Sequence, residues 1–319
     1  MTDLSAAPPS AAALPPEPRT GAQHDIAAGD YRATVTELGA GLRRLSYRGQ
    51  PVIREYAADE MPPAGAGQLL APWPNRVDRG SYSFGGAAYQ LNLTEPAAGN
   101  AIHGLTRFAN WALASRAGDR VDLAHVLHAQ PGYPFCLALT VSYQLSADEG
   151  LTVTVTARND GSAAAPYGTG SHPYLIAGPG LVDDWELGLP AARWLPADSR
   201  GIPSGPPQDV TGTSFDFREA HPVGGTQLDH ALTGLARDYA GRAWALLAAG
   251  PSRRLRLWAG PGYDWLQVFT GDPLGPAQRR RALAVEPMTC PPNAFVTGED
   301  LVTLAPGQSV THSWGIVAK

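Results

Sequence analysis

Residues 137–145 alternate, with Leu137, Leu139, Val141, Tyr143 and Leu145 forming one apolar set. After the turn at Asp148-Glu149-Gly150 the alternation resumes at Leu151, Val153 and Val155, with threonines between. Period two on both arms predicts an antiparallel pair with one buried face. Strand-like runs at 31–38 and 42–47 flank Gly39-Ala40-Gly41, and runs at 82–84 and 88–93 flank Gly85-Gly86, a hairpin signal. Further strands are predicted at 254–258, 265–269, 283–285, 301–304 and 310–317, the last two joined by the turn Ala305-Pro306-Gly307-Gln308. Convincing helical periodicity is absent, because 36 glycines and 30 prolines interrupt the chain too often for long helices. The pattern predicts an all-β fold, a large antiparallel β-sandwich with few helices. Residues 1–22 are mostly Ala, Pro and Ser, too poor in apolar surface to offset their ordering entropy, and read as a disordered tail. Residues 23–319 read as a single domain, with no repeat and no linker.

Charge narrows the partners. The chain has 319 residues and a formal net charge of -5, which disfavours nucleic acid and anionic membranes. The densest basic cluster, Arg279-Arg280-Arg281, reads as a solvated loop or strand edge. Cys136 and Cys290 are too few for a disulfide framework. No apolar run reaches the length of a membrane span, and the N-terminus lacks a secretory pattern. The expectation is a soluble, cytoplasmic protein, monomeric or homodimeric.

Five segments carry candidate chemistry. Glu286 closes an apolar run ahead of Pro287 and the Thr289-Cys290-Pro291-Pro292-Asn293 loop; desolvation there raises a carboxylate's proton affinity, which suits a general base. His172 stands between Ser171 and Pro173, with Gly168 and Gly170 allowing close approach of the main chain to a ligand. Asn100 and His103 flank a short apolar pair before Gly104, spaced to reach one ligand. In Pro72-Trp73-Pro74-Asn75-Arg76, Trp73 offers a stacking face and Arg76 a rigid fork of donors. Asp229, after a Gly-Gly turn, either accepts from a substrate hydroxyl or caps a turn. His125 and His128, three apart on a predicted strand, point to opposite faces and cannot chelate together. No Cys/His spacing suggests a metal, and no glycine-rich loop suggests a nucleotide, so no cofactor is expected.

Taken in order, these segments resemble the aldose 1-epimerase (galactose mutarotase) family over nearly the whole chain, from about residue 30 to 317. The marks are Pro74-Asn75-Arg76, the run from Gly80 to Gly86 with Tyr89-Gln90-Leu91, Asn100-Ala101-Ile102-His103-Gly104, Gly170-Ser171-His172-Pro173-Tyr174, Leu228-Asp229-His230, and Glu286 before its proline-rich loop. The resemblance implies a large β-sandwich whose concave face binds a free sugar and interconverts its α and β anomers. It makes Glu286 the base on the C1 hydroxyl and His172 the acid on the ring oxygen, on opposite sides of C1–O5. Arg76, His103 and Asp229 then hold sugar hydroxyls, with Asn75 and Asn100 nearby. Ala231 and Leu232, Leu175-Ile176 and Pro292-Asn293 depart from the commoner branch and bring the chain closer to a bacterial mutarotase-like side branch, leaving sugar preference open. The alternatives are an epimerase for a phosphorylated or sulfonated sugar, with Arg193, Arg237 and Arg242 as anion ligands, and a non-catalytic sugar-binding protein on the same fold. Glycoside hydrolysis by an Asp229/Glu286 carboxylate pair is disfavoured, because the assigned acid is a histidine.

Overall fold

The computed structural model describes residues 17–251 and 253–319. Two large sheets dominate. The first has nine strands; at its centre Leu137–Ser146 pairs with Gly150–Asn159, which in turn pairs with the C-terminal strand Ser309–Ala318. The alternation read from the sequence is the one observed: Leu137, Leu139, Val141, Tyr143, Leu145, Leu151, Val153 and Val155 are all buried, facing one hydrophobic core. The second sheet has eight strands, with Asp229–Leu235, Trp265–Phe269 and Leu283–Met288 side by side at its centre. Its Leu232, Leu266, Val268, Leu283 and Val285 close the same core from the other side. All paired strands within these two sheets run antiparallel. A four-stranded sheet beginning Gln23–Ala28, Tyr31–Thr36 and Leu42–Tyr47 packs against this body. Helix among the described residues amounts to Ala294–Thr297 and two short 3-10 turns.

Several expectations change. The run predicted at 283–285 continues to Met288, so Glu286 sits inside a strand rather than at its end. Of the segment read as a tail, residues 1–16 lie outside the described residues; packing begins by Thr20, which is buried and donates from Oγ1 to the Ala58 carbonyl at 2.7 Å. Arg280 is not a solvated loop charge. Its side chain is 8% exposed and lies between Asp183 and Asp272, each 3.0 Å away, because two carboxylates and the carbonyls of Gly224 and Thr226 replace its water. His125 lies on Arg120–Leu127, whereas His128 falls beyond its end. The two cysteines are free thiols. Among the described residues no helix is long and apolar enough to cross a membrane.

Candidate active site

Leu283–Met288 is buried on both faces. Its odd residues enter the core, and period two turns Ala284, Glu286 and Met288 to the opposite, concave face. Glu286 is only 2% exposed. Directly across the ladder stands Gln267, and one strand further Asp229, whose Oδ1 accepts from Gln267 Nε2 at 2.7 Å. Three neighbouring strands thus bring residues from 229, 267 and 286 to one patch.

The same strand places His172. Gly170 pairs with Met288 on one side of it, and Tyr174 and Leu175 pair with Ala284 and Leu283. The three residues between, Ser171, His172 and Pro173, span the stretch opposite Glu286. His172 Nε2 consequently lies 3.3 Å from Glu286 Oε1. Tyr174 stacks on the imidazole at 4.8 Å, and His103 meets it edge-on at 5.3 Å. Gly65, at φ +78, packs closely on the imidazole: an added Cβ would lie 3.2 Å from His172 Cδ2, a tight contact. Glu286 and His172 therefore touch, because their backbones run side by side.

Arg76 opens the strand Arg76–Asp78, which pairs with Asn100–Ile102. Asn293 fastens this strand to the Glu286 loop, donating from its backbone to the Arg76 carbonyl at 2.6 Å and accepting from the Asp78 N–H at 2.9 Å. Asn75 and His103 both adopt left-handed backbones, φ 53 and 62, uncommon for such residues and a conformation that costs energy. The His103 N–H donates to the Asn75 carbonyl at 2.8 Å, which ties the two strained residues together.

These groups line a cleft of about 390 Å³, within the size range of small-molecule sites. Asn75, Arg76, His103, His172, Asp229 and Glu286 all line it. Asn100 does not: it is fully buried behind the wall and donates to Glu95 and to the Arg200 carbonyl. Trp73 is also excluded, since it is 2% exposed and packs on Phe295 rather than offering a face to a ligand. Gly168 and Gly170 serve packing rather than ligand approach, an added Cβ meeting Cys290 Sγ at 2.4 Å or Pro74 Cβ at 2.9 Å.

Sequence reasoning passed over Glu95, Arg107 and Gln267. Gln267 had a signal, a polar residue amid the apolar run Trp265–Phe269. Glu95 and Arg107 lie in irregular segments with no periodicity to mark them. The arginines proposed for an anion are elsewhere: Arg237 is held by Asp264 and several carbonyls, Arg242 lies over Trp258, and Arg193 does not line the cleft. Arg107 does line it, and among the described residues its guanidinium has no carboxylate within ion-pairing distance.

Burial dominates the electrostatics. Desolvation, reinforced by the charge of Asp229 and opposed by Arg76, pushes the Glu286 carboxyl well above its usual range. Desolvation, with Arg107 adding to it, pulls His172 down to about 3, and it also lowers His103. The 3.3 Å contact has the distance of a salt bridge, yet both partners are driven toward their neutral forms. We favour the neutral pair at rest, with one proton on Glu286, because an almost fully buried carboxylate beside Asp229 is poorly stabilised. Moving that proton across the contact gives the carboxylate–imidazolium form with no change in net charge.

A sheet face carrying the buried contact of Glu286 with His172, ringed by hydrogen-bonding side chains, forms the wall of a cleft sized for a small polar ligand. Comparison with known proteins places it: residues 23–316 match the family model for aldose 1-epimerase, and the chain belongs to that family of sugar isomerases. It is 38% identical over 283 residues to the uncharacterized protein YihR of Escherichia coli K12, covering 89% of each chain. It is 27% identical over 215 residues to the aldose 1-epimerase of the same organism, covering 65% of this chain and 61% of that one. The solved structure of an aldose epimerase homologue from C. elegans superposes with a TM-score of 0.83 at 19% identity, covering 93% of this chain and 98% of that one, a likeness of fold.

Proposed function

We propose that this protein is an aldose 1-epimerase acting on a free aldohexose. The observation that carries the reading is the buried contact of Glu286 and His172 in a cleft lined by Arg76, His103 and Asp229. Opening a cyclic hemiacetal requires a proton to leave the C1 hydroxyl as another reaches the ring oxygen. Both oxygens are bonded to C1, so a base and an acid a hydrogen-bond length apart can serve one each. Once the pair's proton has passed to His172, Glu286 takes the hydroxyl proton and His172 protonates the ring oxygen. After rotation about C1–C2, the same groups in reversed roles close the other anomer. Each well-placed acid or base contributes on the order of 10²–10⁴ in rate. Arg76, Asp229 and His103 orient the sugar through its hydroxyls, with Asn75 beside Arg76.

A second reading, an epimerase for a sugar with a phosphate or sulfonate group, is favoured by Arg107. Glu95 pairs directly with Arg76 through two 2.9 Å hydrogen bonds, whereas Arg107 brings a second positive charge to the cleft wall that Glu95 acts on only without contact. The test is the anomeric exchange rate, followed by NMR, of galactose, glucose, a deoxy sugar and a 6-phosphate with catalytic amounts of protein. Acceleration of a neutral hexose supports the first reading, and acceleration confined to the anionic sugar supports the second. Binding without acceleration sinks both in favour of a sugar-binding protein.

A further inference from the structure

Arg76 is gripped from two sides by residues to which no role has been given. Its Nε and Nη2 donate to the two carboxylate oxygens of Glu95, each at 2.9 Å. That leaves three of its five N–H groups for a ligand. Glu95 is itself steered by Asn100, whose Nδ2 donates to Glu95 Oε2 at 3.1 Å and to the Arg200 carbonyl at 2.9 Å. The 198–202 turn is tightly closed: Asp198 Oδ1 accepts from the N–H groups of Arg200 and Ile202, and the Arg200 guanidinium pairs with Asp78, on the same strand as Arg76. At its tip Gly201, φ +73, lies flat against the Arg76 guanidinium. A Cβ built there would stand 2.5 Å from Nη1 and 2.8 Å from Cζ.

We propose that Glu95 and the 198–202 turn form a clamp that fixes the fork of Arg76 in the cleft, making Glu95 a positioning residue for substrate binding and Gly201 a position where a side chain would push the Arg76 guanidinium aside. The substrate readout rests on the epimerase reading; the clamp does not. An arginine side chain has several rotatable bonds, and the entropy of freezing them is taken up here by the fold before a ligand arrives. Asn100, expected to touch the sugar, acts two bonds removed from it, through Glu95.

The test is steady-state kinetics on the sugar that the wild-type protein accelerates. In Glu95→Gln and Gly201→Ala, KM rises roughly tenfold with kcat changed by less than about threefold, as loss of a charge-assisted contact made equally in ground and transition states requires. Glu95→Asp recovers part of the loss. Gly212→Ala is the control: Gly212 has the same φ, +73, and nothing among the described residues within 4 Å of an added Cβ, so it carries equal backbone strain without touching Arg76. An unchanged KM in Glu95→Gln, or a defect in Gly212→Ala as large as in Gly201→Ala, overturns the clamp. Should the wild-type protein accelerate no sugar, the epimerase reading fails by itself. Crystal structures of Glu95→Gln then decide the clamp, which predicts a displaced Arg76 guanidinium and is refuted by an unmoved one.

Discussion

Replacing Glu286 by glutamine keeps the side chain's shape and removes both its charge and its titration. The proposed base is lost, so anomeric exchange slows by on the order of 10²–10⁴, equivalent to about 3–5 kcal/mol of barrier. Stability moves the other way. Glu286 is 2% exposed, and among the described residues its Oε2 has no hydrogen-bond partner; Gln267 Oε1, across the ladder, has none either. An amide brings a donor to a place crowded with acceptors, and relieving one orphaned buried group is worth about 1–3 kcal/mol. For a chain of this size that is a Tm rise of roughly 1.5–4.5 °C. The sign of the pH dependence follows from the raised proton affinity of the folded carboxyl. Folded protein holds the proton where unfolded chain has released it, so wild-type stability falls as pH climbs from the ordinary carboxyl range through the raised folded value. The stability gain of Glu286→Gln is therefore small at pH 4 and largest at alkaline pH. Differential scanning calorimetry from pH 4 to 9 reads the gain, and NMR exchange on the same samples reads activity. A glutamine variant less stable than wild type at pH 8, or one within tenfold of its rate, would refute the argument.

Other consequences are as direct. His172→Asn lowers anomeric exchange by on the order of 10²–10⁴. Because burial holds the folded imidazole at about 3, against 6.5 when unfolded, wild-type stability is lost as pH falls from 6.5 toward 3; the variant lacks that loss, and thermal melts across this window measure it. The pair is active with one proton on it and burial holds His172 at about 3, so kcat/KM shows no inflection near 6.5, where a solvated histidine acting alone would give one. Arg107→Gln leaves neutral hexose turnover within about threefold but raises KM for an anionic sugar at least tenfold if that is the substrate, a difference set by one charge-assisted hydrogen bond. Arg280→Ala, which strands Asp183 and Asp272 without their shared cation, destabilises the fold by on the order of 3 kcal/mol in urea titrations.

Alternation was enough to fix the all-β class and the central strand pairs, because a sheet with one buried face writes period two directly into the chain. Glu286, His172, His103, Arg76 and Asp229 were also legible, since each interrupts an apolar or turn-forming context at a place where a bland residue would do. What local pattern could not carry was who stands behind whom. Asn100 and Trp73 look as available as Asn75 in the sequence, yet pairing of 76–78 with 100–102 and packing on Phe295 turn them away from the cleft. Arg280 reads as one of three solvated arginines until the chain brings Asp183 to it across nearly a hundred residues. Glu95, Arg107 and the Gly201 turn carry no periodic mark; Glu95 and the turn gain their roles only once their segments meet around the Arg76 guanidinium. The contact of Glu286 with His172 is likewise tertiary, produced by strands at 170–171 and 174–175 pairing on either side of residue 286. Side-chain period is a local property of the backbone and survives in the sequence, whereas the burial and pairing of a charge depend on long-range register, which only the folded chain decides.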